Sequence, residues 1–191
     1  FATEAVTDAD NLIKMPENMD YIVAAGFPSV YGTSHVGLLH KLKLQPSEFL
    51  LIHGAAGGTG LPAVEIGKKL GATVIATAGS PEKLEIARQY GADHLINYST
   101  EDIRERVKQL TDGRGADAVY DPVGGSAFDA TLGCTAQRGR ILIVGFASGT
   151  VPQIPANIIL VKNITVIGYY WGAHRKLDPE LVKSSFNELM S

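Results

Sequence analysis

The sequence is poor in cysteine and in excess charge of either sign. Its one cysteine, Cys134, excludes an intrachain disulfide framework and a zinc site built on a cysteine cluster. A single thiol also fits a reducing compartment, so we expect a cytoplasmic protein. With 17 basic and 20 acidic residues the formal net charge is −3, which argues against a nucleic-acid partner. The longest uncharged stretch, 141–161, is interrupted by glycine, proline and polar residues, so we predict no membrane span.

The five histidines do not form a recognisable metal motif. His35 and His40 lie five residues apart on one predicted helix, which is poor spacing for two ligands, and the other three are isolated. There is no H-E-x-x-H sequence and no mixed Cys/His cluster. We therefore expect no bound metal.

Short apolar runs alternate with helical patterns from Glu48 onward. The runs predict six strands, at 49–53, 73–78, 94–97, 116–121, 140–146 and 164–171. Helices are predicted at 21–26, 28–42, 61–70, 81–90, 101–110 and 126–134, and from about 178 onward. This alternation is typical of an α/β fold, here a doubly wound parallel Rossmann sheet in the order 3-2-1-4-5-6.

The segment "HGAAGGTG", residues 53–60, is the most informative motif. It follows the first predicted strand and opens a helix, and its spacing is that of the dinucleotide fingerprint with alanine at the first glycine. A helix N-terminus offers unpaired N–H groups and a positive dipole end to phosphates. We predict that a pyrophosphate binds along the loop, at residues Ala56, Gly57, Gly58, Thr59 and Gly60.

The end of the second strand indicates which dinucleotide is bound. NAD-binding folds place an acidic residue there to bind the ribose 2′-hydroxyl. Here the strand ends in Gly79-Ser80, with no carboxylate, and Lys83 follows one helical turn later. A hydroxyl and a cation in place of an acid predict a pocket for the 2′-phosphate of NADP(H). Tyr98, just after the third strand, can reach the same phosphate or pack as a structural tyrosine.

Ligands of open α/β sheets bind in a crevice outside the carboxyl ends of the strands. We expect two further turns to face that crevice together with the glycine loop. "DPVGG" ends the fourth strand and "GFASG" ends the fifth. Asp121 is equally typical of a helix N-cap, and Phe146 of a core aromatic. The backbone groups predicted to hold the nicotinamide half are those of Val123, Gly124, Gly145, Phe146 and Ala147.

Together with "GADHLINY" and "TAGS" followed by a lysine, these motifs give the chain a family resemblance. It resembles the zinc-free quinone oxidoreductase branch of the medium-chain dehydrogenase/reductase superfamily. "PANIILVKNITVIGYYWG" is similar to the quinone oxidoreductase-like subgroup. The resemblance implies that Gly57–Gly60 meet the pyrophosphate, and that Gly79, Ser80, Lys83 and Tyr98 meet the 2′-phosphate. It also implies a place near the nicotinamide for Thr33, although "YGTS" departs from the commoner "GLTA".

The resemblance also implies a division of the chain. Residues 1–20 resemble the end of a GroES-like catalytic domain, 21–175 form the NADP-binding domain, and 176–191 begin the helix that leads back. We therefore expect the cofactor-binding part of an NADPH-dependent oxidoreductase that acts on a quinone or enone. The alternatives are an enoyl-thioester or alkenal double-bond reductase, and a non-catalytic NADPH-binding module. No general acid can be named, and the family suggests a homodimer paired through the sixth strand.

Overall fold

The computed structural model describes residues 3–9 and 12–190, and over 21–190 it forms one parallel sheet with helices on both faces. The strands are β1 (Phe49–Ile52), β2 (Thr73–Ala78), β3 (His94–Asn97), β4 (Ala116–Asp121), β5 (Thr135–Ile143) and β6 (Thr165–Gly168). Their order in the sheet is β3-β2-β1-β4-β5-β6, and every neighbouring pair is parallel. The predicted fold class and strand order are confirmed.

In the described part of the chain, eight α-helices accompany these strands. They are α1 (Tyr21–Val36), α2 (Gly60–Lys69), α3 (Pro81–Gln89), α4 (Ile103–Leu110), α5 (Gly125–Cys134), α6 (Ala156–Lys162), α7 (Trp171–Leu177) and α8 (Pro179–Met190). A π-helical turn, Gly37–Lys41, continues α1. Within the described ranges, none of these helices combines the length and the apolar character needed to cross a bilayer.

The core lies on both faces of the sheet because side chains alternate along each strand. Leu50 and Ile52 belong to a cluster that also includes Val36 on α1 and Val64 on α2. Leu51, between them, packs in a second cluster that includes Phe128 of α5. Since both faces are covered, the strands read as nearly continuous apolar runs.

The first helix differs from its prediction. The sequence predicts one helix ending at Gly26 and another opening at Pro28, whereas α1 runs through both residues to Val36. Proline in a helix interior removes one backbone hydrogen bond. Packing next to it holds the helix together: Phe27 and Tyr31 stack with centroids 4.6 Å apart, and the Tyr31 hydroxyl donates to Glu65 on α2 at 2.8 Å. Burial and this carboxylate raise the pKa of Tyr31 above its ordinary value.

The end of the chain also differs from its prediction. Strand β5 spans 135–143 and not 140–146, with an irregular register next to Ala116 and Ala118 and a left-handed Arg138 (φ 63°). Strand β6 covers 165–168 and not 164–171, and helices α6 and α7 are additional. Trp171 leaves the strand because its ring packs against Gly32 of α1, where a Cβ would lie 2.5 Å from the indole. Among residues 3–9 and 12–20 there is no strand, and the domain division remains a prediction.

Candidate dinucleotide crevice

The carboxyl ends of the parallel strands gather at one edge of the sheet. The chain order reverses between β1 and β4, which lie side by side in the centre of the sheet. In open α/β sheets such a switch point opens a crevice between the loops that follow the two strands. The loops at this edge include 53–59 after β1, 79–80 after β2, 98–102 after β3, 122–124 after β4 and the segment 144–150 after β5.

The loop after β1 is tightly folded. Gly54 has a φ of +56°, and the Gly57 N–H donates to its carbonyl at 2.8 Å. A Cβ at Gly60 would lie 2.3 Å from the Gly54 oxygen and 2.8 Å from Ala55 Cα. The first turn of α2 can approach the end of β1 this closely only because residue 60 is glycine.

This loop leaves a row of unpaired backbone donors. In the part of the chain that the structure describes, the N–H groups of Gly58, Thr59 and Gly60 have no acceptor. They stand at the N-terminus of α2, where the helix dipole also favours negative charge. Ala56 is half-buried beside them, and Gly57 contributes the turn, since its own N–H is already bonded. The geometry suits a diphosphate lying over 58–60.

Helix α1 supports the loop from the other side. The buried Ser34 hydroxyl lies 2.7 Å from the Thr59 carbonyl, 3.1 Å from the Val30 carbonyl and 3.2 Å from the Tyr120 hydroxyl on β4. Thr33, the residue singled out from the sequence, is also buried, and its hydroxyl donates back to the Ser29 carbonyl at 2.6 Å. The contact with the glycine loop is therefore made by Ser34, which the sequence analysis did not name.

Replacing Ser34 by alanine should loosen the loop. The variant removes the hydroxyl that donates to the Thr59 carbonyl, which then keeps only its bond from the Ala63 N–H at 3.2 Å, and the net loss of one hydrogen bond costs about 0.5–1.5 kcal/mol. We expect Ser34→Ala to lower the free energy of unfolding by that amount, as measured by urea denaturation. Ser29→Ala, on the exposed face of the same helix, is the matched control and should be neutral. Equal stabilities of the two variants would show that Ser34 does not brace the loop.

The end of β2 carries the residues predicted for a 2′-phosphate. Ser80 is the N-cap of α3, and its Oγ accepts a bond from the Lys83 N–H at 3.4 Å. The Lys83 side chain is exposed, and its ammonium has no ion-pair partner among the described residues. Tyr98 lies over Gly79, where a Cβ would come within 2.8 Å of the tyrosine hydroxyl. The structure thus brings all four predicted residues together.

One acidic residue at this point escaped the sequence analysis. Glu82 stands in the first turn of α3, and a side-chain hydrogen bond with Ser80 lowers the pKa of its carboxyl. The predicted absence of an acid holds for the strand end itself, 78–80, but not for the helix that follows. A phosphate bound at this helix start would compete with Glu82 for the Ser80 hydroxyl.

The loops after β4 and β5 are joined by hydrogen bonds. The Asp121 carboxylate accepts from the N–H groups of Val123 at 2.8 Å and Gly124 at 2.9 Å, while the Ala147 N–H donates to the Pro122 carbonyl at 3.0 Å. Asp121 is therefore not the N-cap of α5, a position that Gly124 occupies. Phe146 is 43% exposed and not a core residue, and a Cβ at Gly124 would lie 3.1 Å from its ring.

This bonding pattern limits what the two loops can offer a ligand. The donors of Val123, Gly124 and Ala147 are already used. Within 121–150, the Phe146 N–H and the carbonyls of Gly145 and Ala147 have no hydrogen-bond partner. One donor next to two acceptors matches the needs of a carboxamide.

A buried histidine lies beneath the crevice. His53 ends the apolar run of β1, and its ring nitrogens lie 3.1 Å from Thr77 Oγ1 and 2.6 Å from Thr131 Oγ1. The Thr131 hydroxyl can donate to the Ala127 carbonyl at 3.0 Å, which leaves its oxygen to accept from the imidazole. Burial lowers the pKa of His53, and the nearby Asp121 only partly offsets this. His53 is consequently neutral in the folded protein at neutral pH.

That neutrality predicts a pH-dependent stability. Below a pH of about 6.5 the unfolded chain protonates His53 while the folded chain does not, so the free energy of unfolding falls by up to about 1.4 kcal/mol per pH unit. His53→Gln should reduce this slope, as followed by urea denaturation between pH 7.5 and 5.5. Burial also lowers the pKa of His35, which acts in the same direction. His35→Gln is therefore the comparison, and it should retain the His53 contribution. An unchanged slope in His53→Gln would contradict the buried neutral state.

Comparison with known proteins shows which family this chain is similar to. Residues 58–187 match the family described as zinc-binding dehydrogenase. A quinone oxidoreductase-like protein 2 homolog from Nematostella vectensis is 43% identical over 189 residues, which cover 99% of this chain and 52% of that protein. The chain thus spans about half the length of the curated relatives it matches.

Two solved structures share the fold closely. The Escherichia coli quinone oxidoreductase complexed with NADPH superimposes with a TM-score of 0.85 at 33% identity, covering 95% of this chain and 56% of that one. The CurK enoyl reductase superimposes with a TM-score of 0.85 at 30% identity, and the match covers 96% of this chain and 55% of the CurK chain. Among the residues that the structure describes here, no three His, Cys, Asp or Glu side chains cluster as metal ligands would.

Proposed function

The chain belongs to the zinc-binding dehydrogenase family and to the quinone oxidoreductase-like branch of the medium-chain dehydrogenase/reductase superfamily, and we propose that it is the NADPH-binding part of an oxidoreductase. The observation that carries the proposal is the pairing of two anion sites at one sheet edge. Three unpaired N–H groups end the loop after β1, and an exposed lysine with a serine N-cap ends β2. A dinucleotide with an extra phosphate on its adenosine ribose needs both.

The bound nicotinamide would supply the hydride, from C4, and the acceptor would be a quinone or another conjugated carbonyl. The chain's own residues bind and orient. The Gly58, Thr59 and Gly60 donors hold the diphosphate, and Ser80 and Lys83 hold the 2′-phosphate, with Gly79 and Tyr98 shaping that pocket. The free groups of Gly145, Phe146 and Ala147 fit the carboxamide, while Val123 and Gly124 shape the wall beside it.

Thr33 and Ala56 complete the proposed site, and the structure supports Ala56 more directly than Thr33. Ala56 lies in the loop itself, next to the free donors. Thr33 lies one residue from the Ser34 brace, but its hydroxyl is bonded within α1. We assign Thr33 a place near the nicotinamide on the resemblance alone. None of the described residues is assigned as a general acid, and proton supply is left to water or to the rest of the protein.

A double-bond reductase is the second candidate function. It is favoured by the likeness to the CurK enoyl reductase, which is nearly as close as the likeness to the quinone oxidoreductase. An enal or an enoyl thioester would then accept the hydride at carbon. A third possibility, a non-catalytic NADPH-binding module, requires that the crevice binds the cofactor without an acceptor pocket beside it.

The rate of NADPH oxidation by the full-length protein distinguishes the three candidate functions. With a quinone, an enal and an enoyl thioester as acceptors, we expect the quinone to be reduced fastest. Faster reduction of the enal or thioester would favour the double-bond reductase, and NADPH binding without any oxidation would favour the binding module. The 191-residue chain alone should bind NADPH without comparable turnover, because we propose that residues 1–20 and 176–191 lead into a catalytic domain that supplies the second wall.

We also propose a homodimer paired through β6. This strand bonds to β5 on one side, and among the described residues nothing pairs with its other edge. An open edge next to apolar surface recruits a partner strand, and Tyr170 beside it is 76% exposed. Sedimentation of the full-length protein should give a dimer, and a monomer at high concentration would contradict this. We place the protein in the cytoplasm because its one cysteine fits a reducing compartment.

A further inference from the structure

A cavity lies at the edge of the sheet opposite the crevice. It has a volume of about 1020 Å³. Its walls include Gly113 and Gly115, just before β4, and Cys134 and Thr135, where α5 ends and β5 begins. Because the strands are parallel, their amino ends meet here, away from the loops that form the dinucleotide crevice.

Positive charge dominates the lining of this cavity. Arg104 and Lys108 enter from α4, Lys162 from α6, and Arg114 from the turn before β4. Arg114 pairs with Asp117 at 2.6 Å, whereas Arg104, Lys108 and Lys162 have no carboxylate within 4.0 Å in the described part of the chain. Asp129 is the one acidic residue of the lining, so three unpaired cations face a single carboxylate in a chain whose net charge is −3.

Capping the C-terminus of α5 accounts for only one of these cations. The Lys162 ammonium donates to the Leu132 carbonyl at 2.8 Å, which satisfies one exposed carbonyl at the helix C-terminus. Burial lowers the pKa of Lys162, and the charges of Lys108 and Arg104 add to that effect. The Arg104 side chain lies across the last turn of the helix, where a Cβ at Gly133 would be 2.6 Å from it. Like charges crowded without counter-ions favour a bound anion.

Neutral and apolar groups complete the lining. Gln137, Gln153 and Asn157 add amide donors, while Ile158 and Val161 of α6 present an apolar wall. We propose that this cavity binds a small organic phosphate, with the phosphate between Arg104, Lys108 and Lys162 and the organic part against α6. The site is distinct from the dinucleotide crevice and does not depend on the proposed function.

Titration of the full-length protein with phenyl phosphate tests this proposal, by calorimetry and by NMR shifts of backbone amides. Phenyl phosphate should bind more tightly than inorganic phosphate, and should shift the amides of Gly115 and Gly133. Each cation removed should weaken binding about tenfold, because a hydrogen bond to a charged group contributes about that factor at the lower end of its range. Raised salt should weaken it further.

The substitutions that test the site should leave the fold intact. Lys108→Ala removes a side chain that makes no hydrogen bond or ion pair with the described residues, and Arg104→Ala/Lys108→Ala removes two charges. Arg88→Ala, on exposed α3, is the charge-matched control, and Lys83→Ala tests for binding in the crevice instead. Arg88→Ala should bind phenyl phosphate as the wild type does, and the amide shifts of Gly115 and Gly133 should persist in Lys83→Ala. Unchanged binding by the double variant, loss of these shifts in Lys83→Ala, or equal affinity for inorganic phosphate would overturn the proposal.

Discussion

A Gly60→Ala variant should bind NADPH at least about 100-fold more weakly than the wild type. Its Cβ would lie 2.3 Å from the Gly54 carbonyl oxygen and 2.8 Å from Ala55 Cα, and backbone atoms cannot step aside as a side-chain tip can. The loop would have to open, which displaces the donors of Gly58 and Thr59 from the diphosphate. Losing two charge-assisted hydrogen bonds costs about 3 kcal/mol or more, which is about two factors of ten in affinity.

The same substitution should lower stability, by about 1–3 kcal/mol, which is typical of overpacking. Gly58→Ala is the matched control for folding, since a Cβ there would meet only Val30 Cγ1, at an ordinary 3.6 Å. Its free energy of unfolding should stay within about 0.5 kcal/mol of the wild type. A Gly60→Ala protein with wild-type NADPH affinity would show that the diphosphate does not lie on this loop.

Removal of the Lys83 charge should separate the two cofactors. We expect Lys83→Ala to weaken NADPH binding about tenfold and to leave NADH binding unchanged, because NADH has no 2′-phosphate. The tenfold figure is the lower end for a charge-assisted hydrogen bond, and it is appropriate because this side chain is exposed to solvent. Calorimetric titration with both cofactors measures the difference, which rising salt should diminish.

A substitution of the neighbouring Glu82 should have the opposite effect on NADPH binding. Glu82→Gln removes a negative charge that bonds to Ser80, so it should strengthen NADPH binding and leave NADH binding unchanged. Arg88→Ala, at the far end of the same helix, should affect neither cofactor. Equal losses of NADH and NADPH affinity in Lys83→Ala would mean that this lysine supports the fold and does not read the phosphate.

Local sequence patterns were enough to predict the six strands and their order, but not the bounds of β5 and β6. Strands such as "FLLI" and "TVIATA" are apolar throughout because both faces of the sheet are covered, and glycines mark the helix ends between them. The patterns failed where distant packing decides. Helix α1 continues through Pro28 because α2 and α8 pack against it, and β6 ends early because Trp171 turns away to pack on α1 and on Phe186.

The candidate site was predictable to the extent that it depends on backbone shape. The spacing of Gly57 and Gly60 indicates the loop, and the residues at 79–83 indicate the second anion site. The sequence did not reveal which N–H groups remain free, since that depends on partners such as the Asp121 carboxylate. The role of Ser34 was equally hidden, because its partners Thr59 and Tyr120 lie 25 and 86 residues away along the chain.

A crystal structure of the protein grown with NADPH tests the central claim most directly. The account predicts a diphosphate over the N–H groups of Gly58, Thr59 and Gly60. It also predicts a 2′-phosphate within hydrogen-bonding distance of the Ser80 hydroxyl and the Lys83 ammonium. A nucleotide bound elsewhere, or one bound here with its 2′-phosphate directed away from Lys83 into solvent, would contradict it.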